Sequence, residues 1–135
     1  MLQMSIAFIA GIALAATVIT TASAGSQPRP VADARVVQLR LYTIDKGRLD
    51  DFVTAWHAGV YTLRRKLGYE IPFAAKIPAT NQFIWLLTYD GAEPWDNKEA
   101  AYYASAERKL LSPDPAQWIA RPEHLMVIPI VETRR

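Results

Sequence analysis

The chain reads as an α+β domain of ferredoxin-like type, β-α-β-β-α-β, with one antiparallel sheet and two helices on one face. Three observations predict it. Four short segments alternate apolar and polar residues or run apolar between turn signals. Two stretches with helical spacing fall between them in the order strand, helix, strand, strand, helix, strand. All 15 basic and 13 acidic residues lie from Arg29 onward, so the charged body is one continuous object, separate from the apolar start.

Residues 1–24 carry no charge and read as a secretory signal peptide. Ile6 to Val18 has the length of an h-region, and Ala22-Ser23-Ala24 ahead of Gly25 is an A-x-A cleavage pattern. The first residues lack Lys and Arg, and the uncharged run reaches about 20 residues, so an uncleaved anchor is the alternative. Residues 25–34, with Pro28 and Pro30, read as a linker. That leaves 35–135 as the domain, expected to be periplasmic or secreted and without stable membrane insertion after cleavage. About a quarter of the remainder is charged, as in an ordinary globular domain. About 110 residues suffice for one core. These figures exclude a disordered chain, collagen, a polytopic membrane protein and a two-domain cofactor enzyme. With no Cys, the chain has neither a disulfide nor a thiol nucleophile.

Arg35 to Ile44 alternates, with Val37, Leu39 and Leu41 on one face and Gln38, Arg40 and Tyr42 on the other, which predicts the first strand. Gly47 opens a helix. Asp50 and Asp51 sit in its first turn and Arg64, Arg65 and Lys66 in its last, both favourable to the helix dipole. Gly68 stops it. Leu49, Phe52, Val53, Trp56, Val60, Leu63 and Leu67 form its buried stripe, which leaves His57, Tyr61 and Arg64 together on a flank. Tyr69 to Ile77 is a second strand that Pro72 marks as an edge or a bulge. Pro78 to Asn81 is a hairpin connection, and Gln82 to Tyr89 a third strand. Asp96-Asn97-Lys98-Glu99 fits a capping box for a second helix running to about Leu111, which Ser112-Pro113-Asp114-Pro115 ends. After a long return through Trp118, His124 to Val131 is the fourth strand.

Such a sheet should have one wet face, yet Phe83 to Leu87 and Leu125 to Ile128 are apolar at both parities. The helices cover one face, so a second copy must cover the other, which predicts a homodimer with facing sheets. A monomer with a loop folded across the sheet is the alternative.

The residues resemble the NIPSNAP family. The matching runs are Val37-Gln38-Leu39-Arg40-Leu41-Tyr42-Thr43; Lys46-Gly47 followed by Phe52 and Trp56; Asn81-Gln82 leading to Leu87-Thr88-Tyr89-Asp90; and Asp114-Pro115 followed by Trp118. They span about residues 36–130. The resemblance implies a dimeric α+β barrel, in a superfamily that also holds cofactor-free monooxygenases and haem-degrading enzymes. It implies fold more than function. Gln38 stands where Glu is more typical, Trp85 where His is, Leu87 where Trp is, and Pro78 where Gly is. The changes at 38, 85 and 87 make the expected cavity more apolar and remove an ionisable pair.

If Val37, Leu39 and Leu41 pack under the helices, Gln38, Arg40 and Tyr42 point into the barrel between the sheets. A guanidinium there needs an acceptor. It binds an anionic or carbonyl oxygen of a ligand, or it pairs with an internal carboxylate such as Glu123 or Glu70. Trp85 and Tyr89 share a parity and complete the expected ligand-binding set of Gln38, Arg40, Tyr42, Trp85 and Tyr89. No catalytic set is assigned; Arg40, Tyr42 and His57 are the candidates, with His57 a base or a haem ligand and His124 its equal. The two His are not at metal-ligand spacing, so no metal is expected. Haem is the only cofactor left open, and no G-x-G-x-x-G or P-loop invites a nucleotide. The basic residues form no stripe, so no nucleic acid is expected as a partner.

The expected protein is therefore an exported homodimer that binds a small, mostly apolar molecule. A cofactor-independent monooxygenase or isomerase acting on a phenolic or quinone-like substrate, a haem-handling relative and a non-catalytic interaction module are the alternatives.

Overall fold

The structure, a computed structural model, describes residues 35–131. The expected signal peptide and linker, and residues 132–135, lie outside the described residues. Strands β1 (Val36–Ile44), β2 (Glu70–Ile77), β3 (Gln82–Tyr89) and β4 (Ile119–Met126) form one antiparallel sheet in the order β2-β3-β1-β4. With β1 and β3 central and the helices inserted after β1 and β3, this is the ferredoxin-like arrangement that the element order predicts. Among the described residues no helix is long and apolar enough to cross a membrane.

The first helical stretch is continuous but not uniform. It consists of α1 (Leu49–Ala55), a π-helical turn (Trp56–Tyr61) and α2 (Thr62–Lys66). The Thr62 hydroxyl donates to the His57 carbonyl at 3.2 Å across the wider turn. Gly59 lies where a Cβ would come within 3.1 Å of Leu111, so its lack of a side chain lets the chain after the second helix pack close. Gly68, at φ +90°, stops the stretch as expected. The π turn changes which side chains face the sheet. In a regular α-helix successive residues turn by about 100°, so Phe52 and Arg64 would lie about 120° apart. One extra residue in the turn brings them to within about 20° of each other. Arg64 is accordingly 0% exposed instead of sitting on a flank, while His57 remains outside.

Two further elements differ from expectation. The second helix starts at Trp95 and breaks at Ser105 into α3 (Trp95–Ala104) and α4 (Ala106–Lys109). Asp96 therefore lies inside its first turn and Pro94 takes the cap position, so Glu99 is no member of a capping box. The Ser105 hydroxyl accepts from the Arg108 N–H at 3.2 Å and starts α4 anew. The fourth strand runs from Ile119 to Met126 instead of His124 to Val131. Pro122 is tolerated within it because β4 is an edge strand. Edge position and a register shift between Glu70 and Phe73 account for Pro72 in β2.

The core lies between sheet and helices. Phe52, Trp56, Val60 and Leu63 pack onto Tyr42, Phe83, Trp85 and Leu87. Rings meet edge to face, as Trp56 and Trp85 do at 5.2 Å between centroids. Gln38, Arg40 and Tyr42 thus face the helices, and Leu39 and Leu41 face away, the reverse of the expected parity. The reason is that Arg40 finds its carboxylate on α3, whereas Leu39 and Leu41 join Ile84, Leu86 and Phe73 on the open face.

Candidate functional site

A cavity of about 220 Å³ opens between the sheet and the helical layer. Strands supply Arg40 and Tyr42 from β1, Trp85 from β3, and Ile119, Pro122 and His124 from β4. The first helix supplies Phe52, Trp56, Val60 and Arg64, and the second Tyr102 and Tyr103. Arg108 from α4 and Pro115 and Ala116 from the chain that follows it close the cavity. The size is just below the roughly 300–1,000 Å³ typical of drug-sized ligands.

The polar side of the cavity is one connected network. Arg40, 2% exposed, donates from Nε to Gln38 Oε1 at 2.7 Å, from Nη1 to the hydroxyls of Tyr103 at 3.1 Å and Tyr42 at 3.4 Å, and from Nη2 to Glu99 Oε2 at 2.6 Å. Arg64 pairs with the same carboxylate through Nη1 and stacks over the Tyr102 ring at 3.4 Å. The Tyr42 hydroxyl lies 3.4 Å from His124 Nε2. Arg108 pairs with Asp114 at 2.9 Å. The indole N–H groups of Trp56 and Trp85 are buried and find no acceptor among the described residues.

Electrostatics follow from this crowding. Burial works against the Arg40 charge, but Tyr42, Tyr103 and Glu99 outweigh it and hold the guanidinium above its ordinary pKa. Burial raises the Glu99 carboxyl, and the hydrogen bond and charge of Arg64, with Arg40 behind, more than reverse this, so Glu99 is ionised. Desolvation and the charge of Arg40 lower His124, which is therefore neutral near pH 7. Burial raises the Tyr42 phenol, which keeps its proton as a donor.

Of the five ligand-binding residues read from the sequence, Arg40, Tyr42 and Trp85 line the cavity. Gln38 is buried behind Arg40 and orients it. Tyr89 lies apart, packed on Tyr69 at 5.8 Å with Lys98 over its ring at 4.9 Å. The carboxylate on Arg40 is Glu99; Glu70 pairs with Arg35, and Glu123 faces Arg121 at 4.0 Å. His57 is exposed, stacked on Tyr61 at 4.9 Å, and does not line the cavity. An imidazole there is not placed to ligate a haem iron in the cavity, and the cavity is small for a porphyrin. Among the described residues no group of three His, Asp or Glu is placed to hold a metal ion.

Glu99, Arg64 and Tyr103 escaped the sequence reading. Trp95, Lys98, Glu99 and Tyr102 follow the i, i+3, i+4, i+7 spacing of a buried helix face, but two of the four are charged, which hid the pattern.

No protein-family model and no curated protein sequence matches the chain. Solved structures do. An uncharacterized NIPSNAP domain protein from Burkholderia xenovorans superposes with TM-score 0.62 at 13% identity, over 74% of this chain and 99% of that one. A NIPSNAP family protein from Agrobacterium tumefaciens gives 0.64 at 12% identity, over 72% and 87%. A putative antibiotic biosynthesis monooxygenase from Bacteroides thetaiotaomicron gives 0.59 at 16% identity, over 77% and 97%. At these identities the likeness is one of fold, and the chain has a NIPSNAP-like, ferredoxin-like α+β fold.

Proposed function

We propose that this protein is an exported homodimer that binds a small, mostly apolar molecule, one in each cavity between sheet and helices. One observation carries the binding reading. The cavity is walled mainly by aromatic and aliphatic side chains, with Tyr103, Arg108 and His124 among its more accessible polar residues. A concave, mostly apolar site with a few polar groups is the usual form of a small-molecule pocket. Export is supported by the leader at residues 1–24. The second copy is supported by the apolar open face of the sheet, where Leu125 is 56% and Phe73 50% exposed. A protein of similar fold from an uncultured marine organism is described as a dimeric ferredoxin-like protein, which supports a dimer (TM-score 0.52, 10% identity).

Titration calorimetry with 2-naphthamide, a flat neutral probe, tests the binding reading. Binding is expected at one probe per chain. Ala116→Phe, which fills the cavity from an exposed lining position, is expected to abolish it. Absence of binding to the parent protein leaves the interaction-module alternative.

A second reading, oxygenation of a phenolic or quinone-like substrate without a cofactor, is favoured by the Arg40–Tyr42–His124 chain. A neutral imidazole would accept a phenol proton, and Arg40, acting through the Tyr42 hydroxyl, would stabilise the phenolate oxygen. Dioxygen uptake with 1-naphthol, reduced at least tenfold in His124→Asn, is the expected outcome for that reading. No uptake excludes it for that substrate class.

A further inference from the structure

Charges around the cavity do not balance. Its charged lining residues are Arg40, Arg64 and Arg108, together with neutral His124, and no Asp or Glu lines it. Arg108 has its own partner in Asp114. Arg40 and Arg64 share the single carboxylate of Glu99. Two guanidiniums on one carboxylate leave one positive charge in a region screened from water, where it acts strongly on whatever enters.

Neither guanidinium meets the ligand directly. Arg64 is 0% and Arg40 2% exposed. Their charge reaches the cavity through Tyr103, which lines it and is 46% exposed. The Tyr103 oxygen accepts from Arg40 Nη1 at 3.1 Å and is approached by Arg64 Nη2 at 3.5 Å. A phenol oxygen has two acceptor positions and one proton. Both acceptor positions face cations, and the proton has no acceptor among the described residues. A hydroxyl whose oxygen accepts from cations donates more strongly, because the hydrogen bonds polarise one another.

We propose that the ligand of this cavity is a monoanion, a flat unsaturated or aromatic carboxylate, and that its anionic oxygen sits on the Tyr103 hydroxyl with Arg40 and Arg64 behind. The ring then lies among Val60, Ala116, Ile119 and Pro122, the more accessible apolar residues of the lining. A dianion would exceed the one uncompensated charge. This assignment rests on the small-molecule reading above and names the substrate class of the same cavity.

Calorimetry with 2-naphthoate, 2-naphthamide and naphthalene-2,6-dicarboxylate tests it on the full chain. The monocarboxylate is expected to bind at least tenfold more tightly than the amide, and the dicarboxylate no better than the monocarboxylate. Tyr103→Phe keeps the ring and is expected to bring the ratio of naphthoate to naphthamide affinity below about threefold. Equal binding of naphthoate and naphthamide, both lost in Ala116→Phe, overturns the monoanion assignment and leaves the small-molecule reading standing. An unchanged preference in Tyr103→Phe overturns the role of Tyr103. Tighter dicarboxylate binding overturns the single charge. If no probe binds, both readings fall.

Discussion

Glu99 is the residue on which the polar network turns, because it is the counter-charge for two guanidiniums that are almost without exposure. Removing one partner of a buried ion pair strands the other, at about 3–5 kcal/mol. Glu99→Gln is therefore expected to lower the unfolding free energy in urea by about 3 kcal/mol or more. A pH series carries the same information. The Glu99 pKa lies below its ordinary value in the folded state, so its stabilisation is complete above the unfolded carboxylate value of about 4.3 and fades as pH falls through the lower folded value. Glu99→Gln is expected to lack that part of the acid slope. Arg40 and Trp85 were legible as site residues because strand alternation assigns them a common face. Which face was not legible, since β3 is apolar at both parities, alternation alone places the polar face of β1 away from the helices, and only the tertiary partner on α3 decides. Tyr89 shares that parity but lies toward the end of β3, beyond the cavity, a distinction that alternation cannot make.

At the scale of elements, strand and helix order could be read directly, and β3 matches residue for residue. The π turn could not, because Phe52, Trp56, Val60 and Arg64 recur at steps of four. Such steps drift by about 40° each in a regular α-helix and stay aligned only if the helix widens. The sequence reading kept the regular period and sent Arg64 outward. Deleting the exposed His57 should restore a regular helix with the flanking residues still in phase. The deletion variant is expected to retain the Arg64–Glu99 pair and to unfold within about 1 kcal/mol of the parent, the range of a mild substitution. A loss near the cost of a stranded charge, about 3 kcal/mol, would show that the turn itself is required. The boundaries of β4 were missed for a related reason: Ile128, Ile130 and Val131 look like strand residues, but pairing with β1 ends at Met126, and these three side chains remain exposed.

The whole molecule presents two sheet faces with different tasks. The helix side holds the core and the cavity; the open side presents Leu39, Leu41, Ile84 and Leu86 around the exposed Phe73 and Leu125. If a second copy covers that side, Leu125→Glu introduces a charge that association would have to bury. The variant is expected to sediment as a monomer at micromolar concentration where the parent sediments as a dimer, with its far-UV circular dichroism unchanged. The parity of β1 sets one further property of such a pair. Because Arg40 and Tyr42 turn toward the helices of their own chain, each copy owns a complete cavity, and none is shared across the facing sheets. Ligand would then fill two equal and independent sites per pair, with a simple hyperbolic isotherm, and dilution to monomers would leave the affinity of each site unchanged.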